Sequence, residues 1–271
     1  MVFRIFLATF LLLFATLHQY AQTDNTDADA PIVFACDSAK QVCVSLWDTN
    51  GDGELSYREA AAVTKTDSVF SFQQHIFSFD ELRYFTGLKR LGIATLADVY
   101  GMKSVTLPPT LEVIDKFAFW SCISLRHVSL PPTLREMREA CFYHCEQLED
   151  ITIPSLVDTV PDHAFMWCKG LKKVVLEEGV RYIKHDAFTL CLSLSDLTLP
   201  STLERVETRA FFNCRNLSTI SCYATKPPRL DPDLLSTIVY KNAVVLIPIG
   251  SLDAYRADPG WKHFKNITEI F

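Results

Sequence analysis

A period of 23 residues dominates the chain between residues 101 and 222. Phenylalanine, cysteine and leucine each recur five times at this step, namely Phe119, Phe142, Phe165, Phe188 and Phe211; Cys122, Cys145, Cys168, Cys191 and Cys214; and Leu125, Leu148, Leu171, Leu194 and Leu217. Met102, Val105 and Leu107 hold the phase of one earlier, degenerate unit. An unbroken period across five units predicts a solenoid in which each unit forms one coil.

The unit reads L-P-x-T-L-x-x-I-x-x-x-A-F-x-x-C-x-x-L-x-x-V-x-L. Its last residues alternate between apolar and polar, which predicts a strand with an apolar inner face, and the proline that follows forces a corner. Because one coil cannot bury its own Leu, Val and Phe, neighbouring coils must stack in parallel about 4.8 Å apart. We therefore predict a β-rich solenoid, of the α/β repeat class, with about five to six coils in residues 101–222.

The two ends of such a stack need cover, because they would otherwise expose the core and unpaired backbone. Residues 67–100 contain an apolar cluster that includes Phe70 and Phe79, and we assign them to an N-terminal cap. Residues 223–271, with Tyr255, Trp261 and Phe264, are predicted to form a C-terminal cap.

Residues 1–21 have the order of a secretory signal peptide: Arg4, an apolar run over residues 5–17, then polar residues. The run is shorter than the roughly 20 residues that cross a bilayer. Cleavage is expected near Ala21, followed by a polar, acidic linker at residues 22–31. The sequence therefore predicts an exported protein, secreted or at the cell surface, without a membrane span after cleavage.

A calcium-loop pattern, D-x-[DN]-x-[DN]-G-x5-E, begins at Asp48 and ends at Glu59. Asp48, Asn50 and Asp52 would offer side-chain oxygens to a hard cation, and Gly53 permits the sharp turn that follows them. The remaining predicted ligands are the Glu54 carbonyl, Ser56 and the two carboxylate oxygens of Glu59. Helical patterns flank the loop, so we predict an EF-hand-like segment at residues 32–66 that binds Ca²⁺ as a structural clip. No second loop is found to pair with it.

The repeat unit resembles the BspA-like leucine-rich repeat of exported and surface proteins, as in Leu130-Pro131-Pro132-Thr133-Leu134 through Ala164-Phe165, Cys168 and Leu171. The calcium-loop segment, Phe79 to Leu88 and the ending Val245 to Ile270 also resemble segments that accompany these repeats. The resemblance implies adhesion or the binding of matrix and other proteins. Trp167 and Leu190 depart from it, because the family usually has a small residue there.

Composition excludes several classes of function. Lys and Arg number 26 against 32 Asp and Glu, a formal net charge of -6, whereas nucleic-acid binders need a basic surface. The short motifs that position phosphates, nucleophiles or catalytic zinc are absent from the sequence. We therefore predict neither an enzyme nor a nucleic-acid-binding protein.

Nine cysteines in an exported chain allow two interpretations. Secreted proteins often form disulfides, and neighbouring rungs of a solenoid lie within disulfide range. However, five of the nine occupy one ladder position, where cysteine acts as a small apolar residue. Free, buried thiols are therefore the favoured interpretation.

Two surfaces remain for a partner. The outward strand positions change sign of charge from coil to coil, as a solvated face or a recognition face would. Between the ladder Phe and Cys, stacking would align aromatic and large side chains along one edge: Trp120, Tyr143, Met166, Trp167 and Phe212. Aromatic residues are enriched at interfaces, although these could equally pack over the loops between coils. We predict an exported protein-binding or adhesion module; the alternative is a structural spacer or accessory component of a cell-envelope assembly.

Overall fold

The computed structural model describes residues 27–270. The predicted signal peptide at residues 1–21 and its cleavage near Ala21 lie outside the described residues. Across the described part of the chain, no helix has the length and apolar character needed to cross a membrane.

Helices are short and lie near the two ends of the chain. They are α1 (Asp37–Trp47), α2 (Tyr57–Ala62), α3 (Thr237–Asn242) and α4 (Leu252–Ala257), with 3₁₀ helices at Asp80–Tyr84 and Trp261–His263. Helices α1 and α2 flank the calcium-type loop, where the sequence shows helical patterns.

The strands of the described residues contain two or four residues each. They are β1 (Ser78–Phe79), β2 (Arg90–Leu91), β3 (Ser104–Val105), β4 (Val113–Ile114), β5 (Glu136–Met137), β6 (Asp150–Ile153), β7 (Thr159–Val160), β8 (Lys173–Leu176), β9 (Tyr182–Ile183), β10 (Asp196–Leu199), β11 (Arg205–Val206), β12 (Thr219–Cys222), β13 (Arg229–Leu230), β14 (Val244–Ile247) and β15 (Asn266–Glu269).

The largest sheet, here called the main sheet, has the order β15-β14-β12-β10-β8-β6, and all its strands are parallel. Burial alternates along these strands, since the apolar inner residues of the unit face the core and the polar ones face solvent. Ile151, Val174, Leu197 and Ile220 pair in sequence across four strands, so the 23-residue period is the register of the sheet. The predicted β-rich solenoid is confirmed.

A second, narrower ladder runs along the opposite side of the coils. It consists of the three-stranded sheet β2-β4-β5 and the four-stranded sheet β13-β11-β9-β7. Tight turns connect it to the main sheet, and their backbone N–H groups alternate between two kinds of partner. Phe119 N donates to Cys141 O of the next coil at 2.8 Å, whereas Trp120 N donates to Phe117 O of its own turn at 2.9 Å. This alternation satisfies backbone groups that a buried turn would otherwise leave unpaired.

The ladder phenylalanines superimpose from coil to coil, as the period predicts. Consecutive rings from Phe119 to Phe211 have centroids 4.7–5.3 Å apart, and their planes lie within 6° of parallel. These rings are almost wholly buried. Burying one such side chain contributes about 1.5–3 kcal/mol, so the ladder is a large part of the core.

The stack begins nearer the N-terminus than the predicted start at residue 101. Leu96 occupies the ladder position of Phe119, and Phe70 occupies it one coil earlier, because Phe70 N and Leu96 N each donate to the next coil. The 23-residue step continues from Phe119 back to Leu96, but Leu replaces Phe there. Between Phe70 and Leu96 the step lengthens to 26 residues. Part of the predicted cap at 67–100 is therefore coil.

The C-terminal segment extends the main sheet before it closes the core. Strands β14 and β15 continue the parallel register, and helix α4 and the second 3₁₀ helix place Tyr255 and Trp261 over the last coil. Both rings are fully buried, with centroids 5.0 Å apart. Trp261 Nε1 donates to Pro228 O at 2.7 Å, so burial of its N–H is compensated.

Ion pairs also follow the coil spacing. Several cations bind a carboxylate one coil away, as in Lys116–Glu139 at 3.1 Å and Arg181–Glu204 at 2.6 Å. Exposed pairs of this kind contribute about 0.2–1 kcal/mol each. Their main effect is to neutralise charges along the solenoid surface.

Candidate functional site

The calcium-type loop connects α1 to α2, and its two glycines adopt the left-handed conformation that the pattern requires. Gly51 has φ 76° and Gly53 has φ 83°. The Asp48 carboxylate lies inside the resulting turn, where it accepts hydrogen bonds from Gly51 N at 2.7 Å and Gly53 N at 2.9 Å. The backbone of the loop is therefore wound around its first predicted ligand.

The next two predicted ligands support each other along the loop. Asn50 Oδ1 accepts a hydrogen bond from Asp52 N at 2.8 Å, and Asp52 Oδ1 accepts one from Glu54 N at 2.9 Å. The Glu54 side chain instead pairs with Lys40 at 2.6 Å. This leaves the Glu54 backbone carbonyl as the group that the pattern assigns to an ion.

Glu59 is buried at the start of α2, where it forms a capping box with Ser56. Its Oε2 accepts from Ser56 N and Oγ, and its Oε1 accepts from Thr49 N and Oγ1. These hydrogen bonds, that of the Ser56 amide foremost, lower the pKa of Glu59 to about 2. The last predicted ligand is therefore an ionised carboxylate tied to both ends of the loop.

The loop fits calcium in its backbone and in its donors, which are all oxygens, the atoms that Ca²⁺ prefers. The six predicted ligands all lie on one loop, from Asp48 to Glu59. However, nowhere in residues 27–270 do three His, Cys, Asp or Glu side chains converge closely enough to hold an ion. The carboxylates bind N–H and O–H groups of the loop instead.

Residues 30–32, which precede α1, pair with the loop, and the sequence did not predict this contact. Ile32 N donates to Leu55 O at 2.8 Å, and Pro31 forms an antiparallel bridge with Ser56. Asp29 binds Arg58 at 2.6 Å. The described residues of the predicted linker, 27–31, are mostly exposed but are held against the loop by these contacts.

Aromatic contacts attach the loop segment to the solenoid. Trp47, at the end of α1, lies 5.9 Å from Phe70 and 5.4 Å from Phe85 between ring centroids. Phe70 belongs to the first coil of the stack. The loop segment therefore covers the N-terminal end of the core, and its order is coupled to the stability of that end.

The predicted partner residues lie along one edge of the solenoid, here called the aromatic edge (Trp120, Tyr143, Met166, Trp167 and Phe212). All five are half-buried. Trp120 and Tyr143 stack with centroids 4.1 Å apart and planes at 11°. The Lys169 ammonium lies 5.0 Å from the Trp167 ring centroid. Packing between coils accounts for part of each side chain, and the rest faces solvent.

Each coil bends through two left-handed positions. One of them falls on the aromatic edge and holds Asp98, Ser121, His144, Trp167, Leu190 and Asn213, with φ between 55° and 68°. A left-handed conformation costs a residue other than glycine about 1–2 kcal/mol, and Asn and Asp tolerate it best. The conformation recurs in every coil whatever the residue, since Phe72 (φ 62°) holds the same position in the first coil, so Trp167 and Leu190 are large residues at a position where the family usually has a small one.

All nine cysteines are free and buried. Each ladder thiol donates to a carbonyl of the preceding coil, as Cys168 Sγ does to Phe142 O at 3.2 Å. Burial raises the pKa values of Cys122, Cys145 and Cys191. These thiols stabilise the turn and present no reactive group at the surface.

An open groove of about 760 Å³ lies between the last coils, and no sequence motif predicted it. Its polar lining includes Arg181, Glu204 and Lys226. Arg181 binds Glu204 at 2.6 Å, and Tyr182 Oη donates to the same carboxylate at 2.8 Å. Arg181 and Glu204 thus neutralise each other within the groove.

Comparison with known proteins places the solenoid among repeat folds. Residues 89–218 match the family described as "BspA type Leucine rich repeat region" in six copies. None of the curated proteins matches the sequence. The match indicates a repeat scaffold typical of protein interaction, and no enzyme family is indicated.

Three crystal structures share the fold. A leucine-rich repeat protein of T. pallidum is 24% identical with a TM-score of 0.52, over 57% of this chain and 72% of that one. One from Eubacterium ventriosum is 22% identical with a TM-score of 0.53, over 59% and 42%. A leucine rich cell surface protein of Faecalibacterium prausnitzii is 23% identical with a TM-score of 0.50, over 69% and 59%. At these identities the likeness shows the fold alone.

Proposed function

We propose that the chain is an exported protein-binding or adhesion module, on the premise that residues 89–218, which match the BspA type leucine-rich repeat region, are an interaction scaffold. Its contact surface in this proposal is the aromatic edge. The observation that carries the proposal is Trp167, a large aromatic residue that is half-exposed and held at φ 68°. The left-handed backbone is common to every coil, but a large, half-exposed ring where the family usually has a small residue is the kind of side chain that anchors protein interfaces.

The neighbours of Trp167 suit an interface. Trp120 and Tyr143 form a rigid stacked pair, two rungs and one rung away respectively, and aromatic anchors of this kind carry most of the binding energy in protein complexes. His144 and Glu146 lie at hydrogen-bonding distance beside them, 2.9 Å apart, and add polar groups to the rim. An apolar centre with a polar rim is the usual anatomy of a protein interface.

Export rests on the predicted signal peptide and on one relative. The Faecalibacterium prausnitzii protein is described as a cell surface protein, and we propose the same location, or secretion, for this chain. Under the alternative, the solenoid is a spacer within a cell-envelope assembly, and the aromatic edge has no soluble partner.

We expect Trp167→Gly to weaken binding to immobilised matrix or surface proteins by about 30-fold, the scale of a hot spot. Glycine removes the ring but accepts the left-handed backbone, so the melting temperature should change by no more than a few degrees. Binding is measured by surface plasmon resonance with the mature protein, and stability by thermal denaturation.

Asn213→Gly is the matched control, because it lies in the same left-handed column at φ 62° and removes no ring. It should bind like the wild type. Equal binding by Trp167→Gly and the wild type would contradict the aromatic edge. If the wild type binds none of the immobilised matrix and surface proteins, the alternative function, a spacer in a cell-envelope assembly, is favoured.

We also propose that the loop binds Ca²⁺ through Asp48, Asn50, Asp52, the Glu54 carbonyl, Ser56 and Glu59. The winding of the backbone around Asp48 supports this assignment. A single loop in an exported protein suits a dissociation constant of about 0.1–1 mM, typical of extracellular modules. Its role would be to order the segment that covers the first coil.

Chelation of calcium is expected to lower the melting temperature by about 3–5 °C. At ten times the dissociation constant, bound calcium adds about 1.4 kcal/mol, and a chain of this size shifts by about 2–4 °C per kcal/mol. The measurement is thermal denaturation in calcium and in chelator.

Asp48→Ala should abolish this difference, whereas Glu54→Gln should retain it. The Glu54 side chain pairs with Lys40, and only its backbone carbonyl belongs to the proposed site. Identical melting of the wild type with and without chelator would refute the calcium proposal.

A further inference from the structure

The segments that precede the strands of the main sheet contain no acidic residue from Cys168 onward, and the equivalent segments 100–103 and 123–126 of the earlier coils are also acid-free, with one cation each. From Cys168 onward, the five segments at 169–172, 192–195, 215–218, 240–243 and 262–265, here called loops although the last two include the ends of α3 and of the second 3₁₀ helix, contain six Lys or Arg, one His and no Asp or Glu. The corresponding loop one coil earlier, at 146–149, contains two glutamates. The C-terminal half therefore has an acid-free strip of loops on a protein whose net charge is -6.

Backbone and side-chain hydrogen bonds place these five loops side by side. Ser195 N donates to Lys172 O at 2.9 Å, and Ser218 N donates to Ser195 O at 3.0 Å. Val244 N then donates to Ser218 O at 2.8 Å, and Lys265 N donates to Tyr240 O at 3.0 Å. Residues distant in sequence thus form one continuous surface, here called the basic strip, whose cations are Lys169, Lys172, Arg215, Lys241, Lys262 and Lys265.

The cations at the C-terminal end of the basic strip lack ion-pair partners among the described residues. Lys169 and Lys172 bind Glu146 and Glu149 of the preceding coil. Arg215 contacts the Asn213 amide oxygen at 3.3 Å, and Lys241, Lys262 and Lys265 are exposed. Elsewhere on the solenoid many cations bind a carboxylate one coil away, and other exposed cations without an ion pair, such as Lys65, Lys103 and Arg135, are far apart in the sequence.

The carboxylates near the basic strip lie outside its loops, and two of them, Asp196 and Asp258, accept hydrogen bonds from neighbouring residues. Asp196 begins the strand after loop 192–195 and accepts a hydrogen bond from Ser195 Oγ. Asp258 accepts from Gly260 N at 2.9 Å and Trp261 N at 3.1 Å. Burial raises the pKa of Tyr240, and the negative charge of Asp233 raises it further. None of them forms an ion pair with a lysine of the strip.

We propose that the basic strip binds an acidic polysaccharide, one with a carboxylate or sulfate group on successive sugars. Arg215, Lys241 and the pair of Lys262 and Lys265 occur on three consecutive rungs about 4.8 Å apart, whereas loop 192–195 holds no cation and separates them from Lys169 and Lys172. This spread suits an extended polyanion better than a single ion. Ser193, Ser218 and Asn216 lie between them and can bind sugar hydroxyl groups. The strip lacks the exposed aromatic core of a protein interface, and the proposal stands independently of the aromatic edge.

The test uses the full mature protein and measures its affinity for a heparin-type sulfated polysaccharide and for polygalacturonate. Changing Lys241, Lys262 and Lys265 together to Glu should weaken binding at least about tenfold, because each exposed charge contact is worth about two- to threefold. It should also flatten the dependence of affinity on salt. Neutral dextran should not bind, and the triple change to Gln should give a smaller loss.

A matched control changes three other exposed, unpaired cations, Lys65, Lys103 and Arg135, to Glu. This variant has the same net charge, and its affinity should stay within about twofold of the wild type. Equal losses in the two triple variants would mean a bulk charge effect and overturn the proposal. Tighter binding to vesicles of anionic phospholipid or to single-stranded DNA than to the polysaccharides would also overturn it.

Discussion

Phe165→Ala is expected to lower the free energy of unfolding by about 3–5 kcal/mol, the usual cost of truncating a fully buried phenylalanine. The Phe165 ring is completely buried, with its centroid 5.3 Å from that of Phe142 and 5.2 Å from that of Phe188. Its removal leaves a cavity in the middle of the ladder, and the neighbouring rings are held by their own coils, so they cannot move in to fill it. Urea denaturation followed by circular dichroism measures the change.

Leu156→Ala is the control, because this leucine is in the neighbouring turn of the same repeat and 45% exposed. Its truncation should cost about 0.5 kcal/mol or less. Similar losses at both positions would mean that the rings do not form a continuous core. Since each coil contacts only its neighbours, Phe165→Ala should also reduce cooperativity, seen as a broader transition than that of the wild type.

The five ladder thiols are expected to react with an aromatic disulfide reagent at least about 1,000-fold more slowly in the folded protein than in urea. Their side chains are fully buried, and burial raises the pKa of Cys122, so little thiolate is present. Reaction requires an opening that costs about 4 kcal/mol or more, and each 1.4 kcal/mol is a factor of ten. The rates are measured at pH 8, with mass spectrometry to identify the labelled cysteines.

Ser129→Cys supplies the control, because this exposed position between β4 and β5 should be labelled at the rate of a free thiol. Rapid labelling of the ladder in folded protein would contradict the packing of the turns. Recovery of fewer than nine thiols after unfolding without reductant would reveal a disulfide between rungs, the other interpretation of the cysteine pattern.

The solenoid and its ladders were predictable because a side chain that recurs at a fixed step must occupy the same place in every coil. The first coils were harder to recognise. Leu96 and Phe70 fill the ladder position, but one changes the residue type and the other lies 26 residues away. Packing tolerates both differences, since the position requires apolar volume and not a particular residue.

Local motifs were also predictable. The ligand order of the calcium-type loop is set within 12 consecutive residues, and the structure gives its glycines the required conformation. The pairing of Ile32 with Leu55 was not predictable, since it joins an irregular segment to the loop. The left-handed backbone at Trp167 was also hidden, because nothing in the residue type signals it.

The sequence by itself determined the coil length, the buried ladders and the order of the loop ligands, because each depends on residues at a regular or short spacing. Tertiary structure alone decided which surface residues become neighbours. Lys172 and Lys265 are 93 positions apart in the chain, yet their loops belong to one strip because stacking converts sequence separation into coil number. Stacking therefore decides which cations meet a carboxylate, as Lys172 does, and which, like Lys265, form no ion pair among the described residues.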